Sequence, residues 1–202
     1  MANLQTALDD LRQRFGGTLL TPPEAGYEAA RVVFNTMITR QPAVIAQCRT
    51  VADVREAIAL ARRCDLEIAV RGGGHSVAGN ALAEGGLTID LRHMNEVRVD
   101  PDARVATVGG GATMGDLDRA TQAYGLATTG GRVSTTGVGG FTLGGGGGWL
   151  DRTFGLACDN LVSAEVVLAN GDVVTASATE NADLFWGLHG GGGNSASSRR
   201  CS

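Results

Sequence analysis

Glycine placement constrains this chain more than any other feature of its sequence. There are 31 glycines in 202 residues, against a usual share of ~7%. They fall in clusters between apolar stretches: Gly72–Gly74, Gly109–Gly111, Gly137–Gly148 and Gly190–Gly193. Collagen needs a strict three-residue period and a disordered linker needs polar company, so neither fits. Clusters of this kind mark places where backbone adopts positive φ or comes close to a ligand or another chain segment. The chain is long enough to bury a core as one large or two small domains.

The intervals between the clusters carry periodic patterns. Leu4, Leu8, Leu11 and Phe15 have helical spacing within residues 3–15. Thr21-Pro22-Pro23 opens an irregular stretch. Ala43 to Gln47 is a short apolar strand, and Thr50-Val-Ala-Asp53 is a capping box that starts an amphipathic helix through Arg63. Glu67 to Val70 is the next strand. Strand, helix and strand within about 30 residues form a βαβ unit with parallel strands. Beyond Gly72 the pattern changes: Leu87–Leu91 and Arg104–Val108 read as strands, and Thr113–Tyr124 as a helix closed by Gly125. Asn170-Gly171 between Val162–Leu168 and Asp172–Ala176 is a hairpin signal. Asn181–Leu188 is a last short helix. The expected fold class is α+β with two lobes, a parallel βαβ lobe and a mainly antiparallel one.

Composition excludes several chemistries. Every basic residue is Arg, and there is no lysine, which removes the P-loop lysine, the Schiff-base lysine and the lysine general base. Net charge is −4 with no basic stripe, so nucleic acid is not an expected partner. Cys48, Cys64, Cys158 and Cys201 form no CxxC pair and have no zinc-site spacing with His; no metal is expected, and the cysteines read as buried and inert. The N-terminus lacks a basic and apolar leader, and no apolar run approaches the ~20 residues that span a bilayer. Together these point to a cytoplasmic protein with no membrane partner.

Two glycine stretches carry the candidate chemistry. Arg71-Gly72-Gly73-Gly74-His75-Ser76 follows a strand directly. Its uncovered amides can cradle a pyrophosphate, Arg71 can add charge-assisted contacts, and His75 sits beside any ligand held there. A plain glycine-rich turn with a surface histidine is the competing reading. Gly137 to Trp149 does not follow the GxGxxG pattern between strand and helix, so a Rossmann nicotinamide site is not supported. It interleaves Val138, Phe141, Leu143 and Trp149, which reads as packed backbone rather than linker.

Taken together, Arg71-GGGHS, Val108-GGGAT-Met114-Gly-Asp116, Thr136-GVGGFTLGGG with Gly147-Gly-Trp-Leu150, Gly155-LACDNL and Glu180-NADLFWGLHGGGGN resemble the FAD-binding domain of the p-cresol methylhydroxylase/vanillyl-alcohol oxidase (PCMH) type. Within it the chain is most similar to berberine-bridge-enzyme-like flavoproteins, from about Arg40 to Asn194. The resemblance implies a lead-in at 1–39, an FAD-binding domain at 40–194, and FAD linked through His75 to its 8α-methyl. Arg71, Gly72, Gly73, Gly74, His75, Ser76 and Val77 would wrap the pyrophosphate and flavin edge. Gly137, Gly140, Thr142, Gly144 and Gly145 would lie along the opposite side, with Val174 at the adenosine. Members with two covalent links carry a cysteine where this chain has Val133, so one link is implied. The implied activity is that of a flavin oxidoreductase passing hydride from a small-molecule substrate to flavin N5, with O2 or another acceptor reoxidising the flavin. No catalytic base and no oligomeric state is implied. The rival is a flavin-binding fragment without turnover, or a pseudogene product.

Other residues invite blander roles. His93 reads as a surface or capping group and His189 as structural or near the flavin; Trp149 and Trp186 read as core. Asp159-Asn160 reads as a turn or cap before a catalytic pair. Residues 195–202, Ser-Ala-Ser-Ser-Arg-Arg-Cys-Ser, depart from the family, which continues with an apolar Phe-Gly-Val-Val-Thr strand. Codons chosen for this tail, TCG GCG TCG TCA CGT CGT TGC, become Phe-Gly-Val-Val-Thr-Ser-Leu when one T is inserted in front. A single-base deletion after Asn194 is therefore the expectation for the tail, with a natural polar terminus as the alternative.

Overall fold

The structure is a computed structural model; it describes residues 4–192 and the backbone of 197–201. Two compact units divide it: residues 1–93 with the turn 169–172, and residues 94–168 with 173–202.

The first unit begins with α1 (Leu4–Arg12), whose Leu8 and Leu11 are buried. Next come β1 (Thr18–Leu20), α2 (Tyr27–Arg31) and β2 (Val44–Gln47). α3 (Val51–Cys64) starts where the sequence places it. The Thr50 hydroxyl accepts from the Asp53 amide, and Asp53 accepts from the Thr50 amide. Asp53 does more than cap: its buried carboxylate also accepts from the amides of Gly16 and Arg49. β3 (Ile68–Arg71) and β4 (Leu87–Asp90) complete a sheet of order β1-β2-β4-β3. β2 and β3 are parallel, as the βαβ pattern predicts, but neither touches the other. β4 lies between them and is parallel to both. All four β4 residues are buried, the composition of a strand covered on both faces. β1 and α2 carry too little periodicity to stand out: three strand residues and five helical ones bury only two side chains each.

The second unit is built on β5 (Val97–Asp100), β6 (Val105–Gly109), β7 (Ser163–Val167), β8 (Val173–Ser177) and β9 (Ser197–Cys201). Every pair in the order β5-β6-β9-β7-β8 is antiparallel. The Asn170-Gly171 hairpin forms with Val167 opposite Val173. α4 (Met114–Gln122) again opens with a reciprocal cap, here Thr113 with Asp116. Met114 and Leu117 of α4 pack with Val108, Ala112 and Val138. Leu143, Leu161, Ala164, Val166, Ala176 and Leu188 form a second cluster. Within the glycine-rich stretch the chain forms α5 (Val138–Leu143), followed by α6 (Asp151–Phe154), a single 3-10 turn (Cys158–Asn160) and α7 (Ala182–Gly187). The junction at Asn194 and the start of the altered tail lie outside the described residues.

The long glycine run is packed backbone. A Cβ on Gly148 would stand 2.0 Å from the Gly130 carbonyl oxygen, so the two segments meet at a distance only glycine allows. Trp149 and Trp186 depart from the core expectation: they are 77% and 81% exposed. Trp149 instead lies beneath the Arg132 guanidinium, 4.7 Å from the ring centre, a cation–π contact available at the surface. Among the described residues no helix is long and apolar enough to cross a membrane.

Candidate functional site

The predicted site residues fall into two sets, one on each unit. In the first unit β3 ends at Arg71 and the chain turns through Gly72–Val77. Gly74 has φ +74°, a conformation that costs a side-chain-bearing residue about 1 kcal/mol or more. The amides of Gly72, Gly73, Gly74, Ser76 and Val77 donate to no acceptor among the described residues. A row of such amides is the backbone arrangement that receives an anion.

Arg71 does not reach out over this loop. It is buried, and its two terminal nitrogens donate to the carbonyls of Ala30 and Val32. Its Nε has no partner among the described residues. Burial, and then the neighbouring Arg92, push its pKa down to about 10, against the pull of Asp90. Arg92 is held on the fully buried Asp90, Nη2 to Oδ2 at 2.7 Å. Arg71 thus anchors the loop to residues 30–32 from behind.

The segment after α2 braces the same loop further along. The Phe34 amide donates to the Gly74 carbonyl at 3.1 Å, and Asn35 Nδ2 donates to the Val77 carbonyl at 2.9 Å. The Phe34 ring stacks on the His75 imidazole, centroids 4.2 Å apart and planes 18° from parallel. Ser76 turns inward, its hydroxyl accepting from the Asn80 amide, and Val77 is exposed. Residues 30–35 were invisible as site residues in the sequence. Their one signal is Val32-Val33-Phe34, an apolar run with neither strand nor helix boundary chemistry.

In the second unit Gly137 caps α5 in an extended conformation, and the Val138 amide is used by the Ala112 carbonyl. Gly140 and Gly145 face open space, where a Cβ would meet nothing within 4 Å. Gly144 closes the helix on the Gly140 carbonyl. Thr142 points the other way; it is buried and lines a cavity of about 630 Å³ with Val108, Met114, Leu117, Val138 and Leu161. Val174 is half-buried on β8 opposite Val166.

The remaining candidates take supporting roles. His93 is exposed after β4. His189 Nδ1 donates to the Phe185 carbonyl at 2.7 Å, and its ring meets Phe185 edge-on. Asp159 accepts from the Leu156 amide, and Asn160 donates to the Phe154 and Leu156 carbonyls, so this pair holds a turn. Cys48 and Cys158 are buried thiols; burial first, then nearby carboxylates, push both up from the usual range. Cys64 is unpaired and half-buried. Among the described residues no cluster of His, Cys, Asp and Glu could hold a metal ion.

An FAD fits these residues in two respects. The open amides at Gly72–Val77 suit its pyrophosphate, and the bare faces of Gly140 and Gly145 leave room for close approach. Comparison with known proteins agrees. The FAD binding domain family matches residues 42–177. (R)-6-Hydroxynicotine oxidase of Paenarthrobacter nicotinovorans is 37% identical over 178 residues, 88% of this chain and 39% of that protein. The solved structure of Physcomitrella patens BBE-like 1 superposes with a TM-score of 0.92 at 31% identity, over 99% of this chain and 43% of that one. Glucooligosaccharide oxidase of Acremonium strictum, described with 6-S-cysteinyl, 8α-N1-histidyl FAD, superposes at 0.86 with 34% identity, over 99% and 42%. The chain spans about two-fifths of the length of curated relatives that it matches. With this domain match, these identities and this fold, the chain belongs to the FAD-binding domain family of PCMH-type, berberine-bridge-enzyme-like oxidoreductases and corresponds to their FAD-binding part.

Proposed function

We propose that this chain holds FAD covalently through His75 and serves a flavin-dependent oxidase or dehydrogenase acting on a small molecule. The observation that carries this is the loop itself: amides at Gly72–Gly74, Ser76 and Val77 that donate to no acceptor among the described residues flank His75 in the chain. The amides bind the pyrophosphate, and His75 bonds to the 8α carbon of the flavin. Gly137, Gly140, Thr142, Gly144 and Gly145 line the cofactor, and Val174 sits at its adenosine. Arg71 fixes the loop by its carbonyl contacts. When bound, the flavin supplies the redox chemistry, accepting a hydride at N5 and passing electrons to O2 or another acceptor. The protein's share is binding, orientation and exclusion of water. Relatives named as hydroxynicotine, xylooligosaccharide and glucooligosaccharide oxidases support a small-molecule substrate. Unpaired Cys48, Cys64 and Cys158 support a reducing, cytoplasmic setting. The FAD-binding domain extends over residues 40–194, preceded by the lead-in of 1–39.

Acid precipitation tests the linkage. Wild-type protein keeps its yellow colour in the pellet, and His75→Ala releases the flavin to the supernatant. Peptide mass mapping places one flavin on the His75 peptide and none elsewhere, because Val133 offers no sulfur for a second bond. Flavin freed by acid from the wild type refutes covalency, while substrate-dependent bleaching of the bound flavin separates an enzyme from a flavin-binding fragment.

A further inference from the structure

Phe34 is 62% exposed, so filling the core is not its purpose. Its ring nonetheless lies nearly parallel to His75 at stacking distance, and its amide is tied to the Gly74 carbonyl. The backbone bond fixes where the ring originates, and the stack fixes the plane of the imidazole. Asn35, bonded to the Val77 carbonyl, holds the far side of the same loop. Arg71 secures the near side through Ala30 and Val32. His75 is therefore embedded between three attachments of one lead-in segment.

We propose that Phe34 is a positioning residue for flavin attachment: it holds the His75 imidazole in the plane from which a ring nitrogen meets the flavin's 8α carbon. This rests on the reading of His75 as the tether. In the attachment step one C–H bond of the 8α-methyl breaks and one N–C bond forms. Two protons leave, one from that carbon and one from the imidazole. The flavin takes the two electrons and delivers them to dioxygen, which with the two protons becomes hydrogen peroxide. Orientation of the nucleophile is what the Phe34 ring contributes to this step. Stacking against an aromatic face removes ring rotation without consuming either ring nitrogen.

The test uses the full chain expressed under riboflavin limitation and then mixed with FAD in air. Covalent incorporation is followed by acid precipitation, and reversible binding by flavin fluorescence quenching. Phe34→Ala and Phe34→Leu slow covalent incorporation by about tenfold or more while changing the FAD dissociation constant less than about threefold, as expected for lost orientation rather than lost affinity. Phe34→Tyr and Phe34→Trp keep the wild-type rate, because each restores a stacking face. In flavin-free protein, Phe34→Ala also speeds modification of His75 by diethyl pyrocarbonate, read by mass spectrometry. Thermal unfolding of each variant identifies any that fails to fold; Phe34→Leu covers that case for Phe34→Ala. Wild-type attachment rates in both Ala and Leu variants overturn the proposal and leave the tether intact. A Leu variant that attaches normally while Ala does not also overturns it, since apolar bulk then suffices. A wild type that never attaches flavin overturns the tether and the proposal together.

Discussion

A single buried guanidinium shows how the site is held from below. Arg71 sits at the end of a strand, one residue before the glycines, and a sequence reader expects its charge to face the ligand. In the fold its donors go to the Ala30 and Val32 carbonyls. Arg71→Met leaves the Val32 carbonyl without its donor and the Ala30 carbonyl with Arg92 alone, at about 1–3 kcal/mol after relief of the buried charge. Urea unfolding should record that loss, and flavin incorporation should fall with it because the loop loses its anchor. Unchanged stability with weakened FAD binding would show the opposite, that the guanidinium turns to the pyrophosphate when the cofactor is present.

At the scale of elements, α3 and α4 begin with the same device. Asp116 at the start of α4 is opposed by desolvation, but hydrogen bonds from the Thr113 amide and hydroxyl, and from Arg119, outweigh it and hold its carboxyl below the usual range. A carboxyl with a depressed folded pKa adds stability above its unfolded pKa of about 3.9 and loses it as pH falls through the folded value. Asp116→Asn should cost about 1 kcal/mol at pH 7 and flatten the acid limb of the stability profile below pH ~4. Denaturant midpoints measured from pH 2.5 to 7 for both proteins decide this. A parallel offset at every pH would mean that the cap, not the charge, carries the effect.

Across the molecule, each unit has its own core, and Cys48 reports on the first. Its thiol is fully buried, and burial, then Asp53 and Asp90, push its pKa up. The sign follows: a raised folded pKa gives stability below the unfolded thiol value of about 8.5, lost as pH climbs above it because the unfolded thiol ionises. Cys48→Ala should remove that alkaline slope, seen as denaturant midpoints that no longer fall between pH 8 and 10 beyond what other groups cause. Native Cys48 should also resist iodoacetamide at pH 8 and react only in denaturant. Rapid labelling of the native protein would contradict its burial.

Local chemistry was legible wherever a few adjacent residues sufficed. The capping box at Thr50, the Asn170-Gly171 hairpin and the amphipathic face of α3 are short-range events, and the sequence by itself determined them. It also determined the loop at Arg71–Ser76, because three consecutive glycines leave amides bare in almost any fold. Pairing between distant segments was decided only by tertiary structure. Nothing near Leu87–Asp90 says that β4 inserts between β2 and β3, since a strand buried along its whole length is compatible with any covered slot in the sheet. Nothing near Val97 marks β5, whose alternation is half exposed. Trp149 and Trp186 looked like core by residue type, yet both are exposed, and Trp149 lies under a guanidinium instead. Phe34 stands 41 residues from His75 in sequence. Its stack exists because Arg71 and Gly74 draw residues 30–35 against the loop, a long-range contact that no local periodicity encodes.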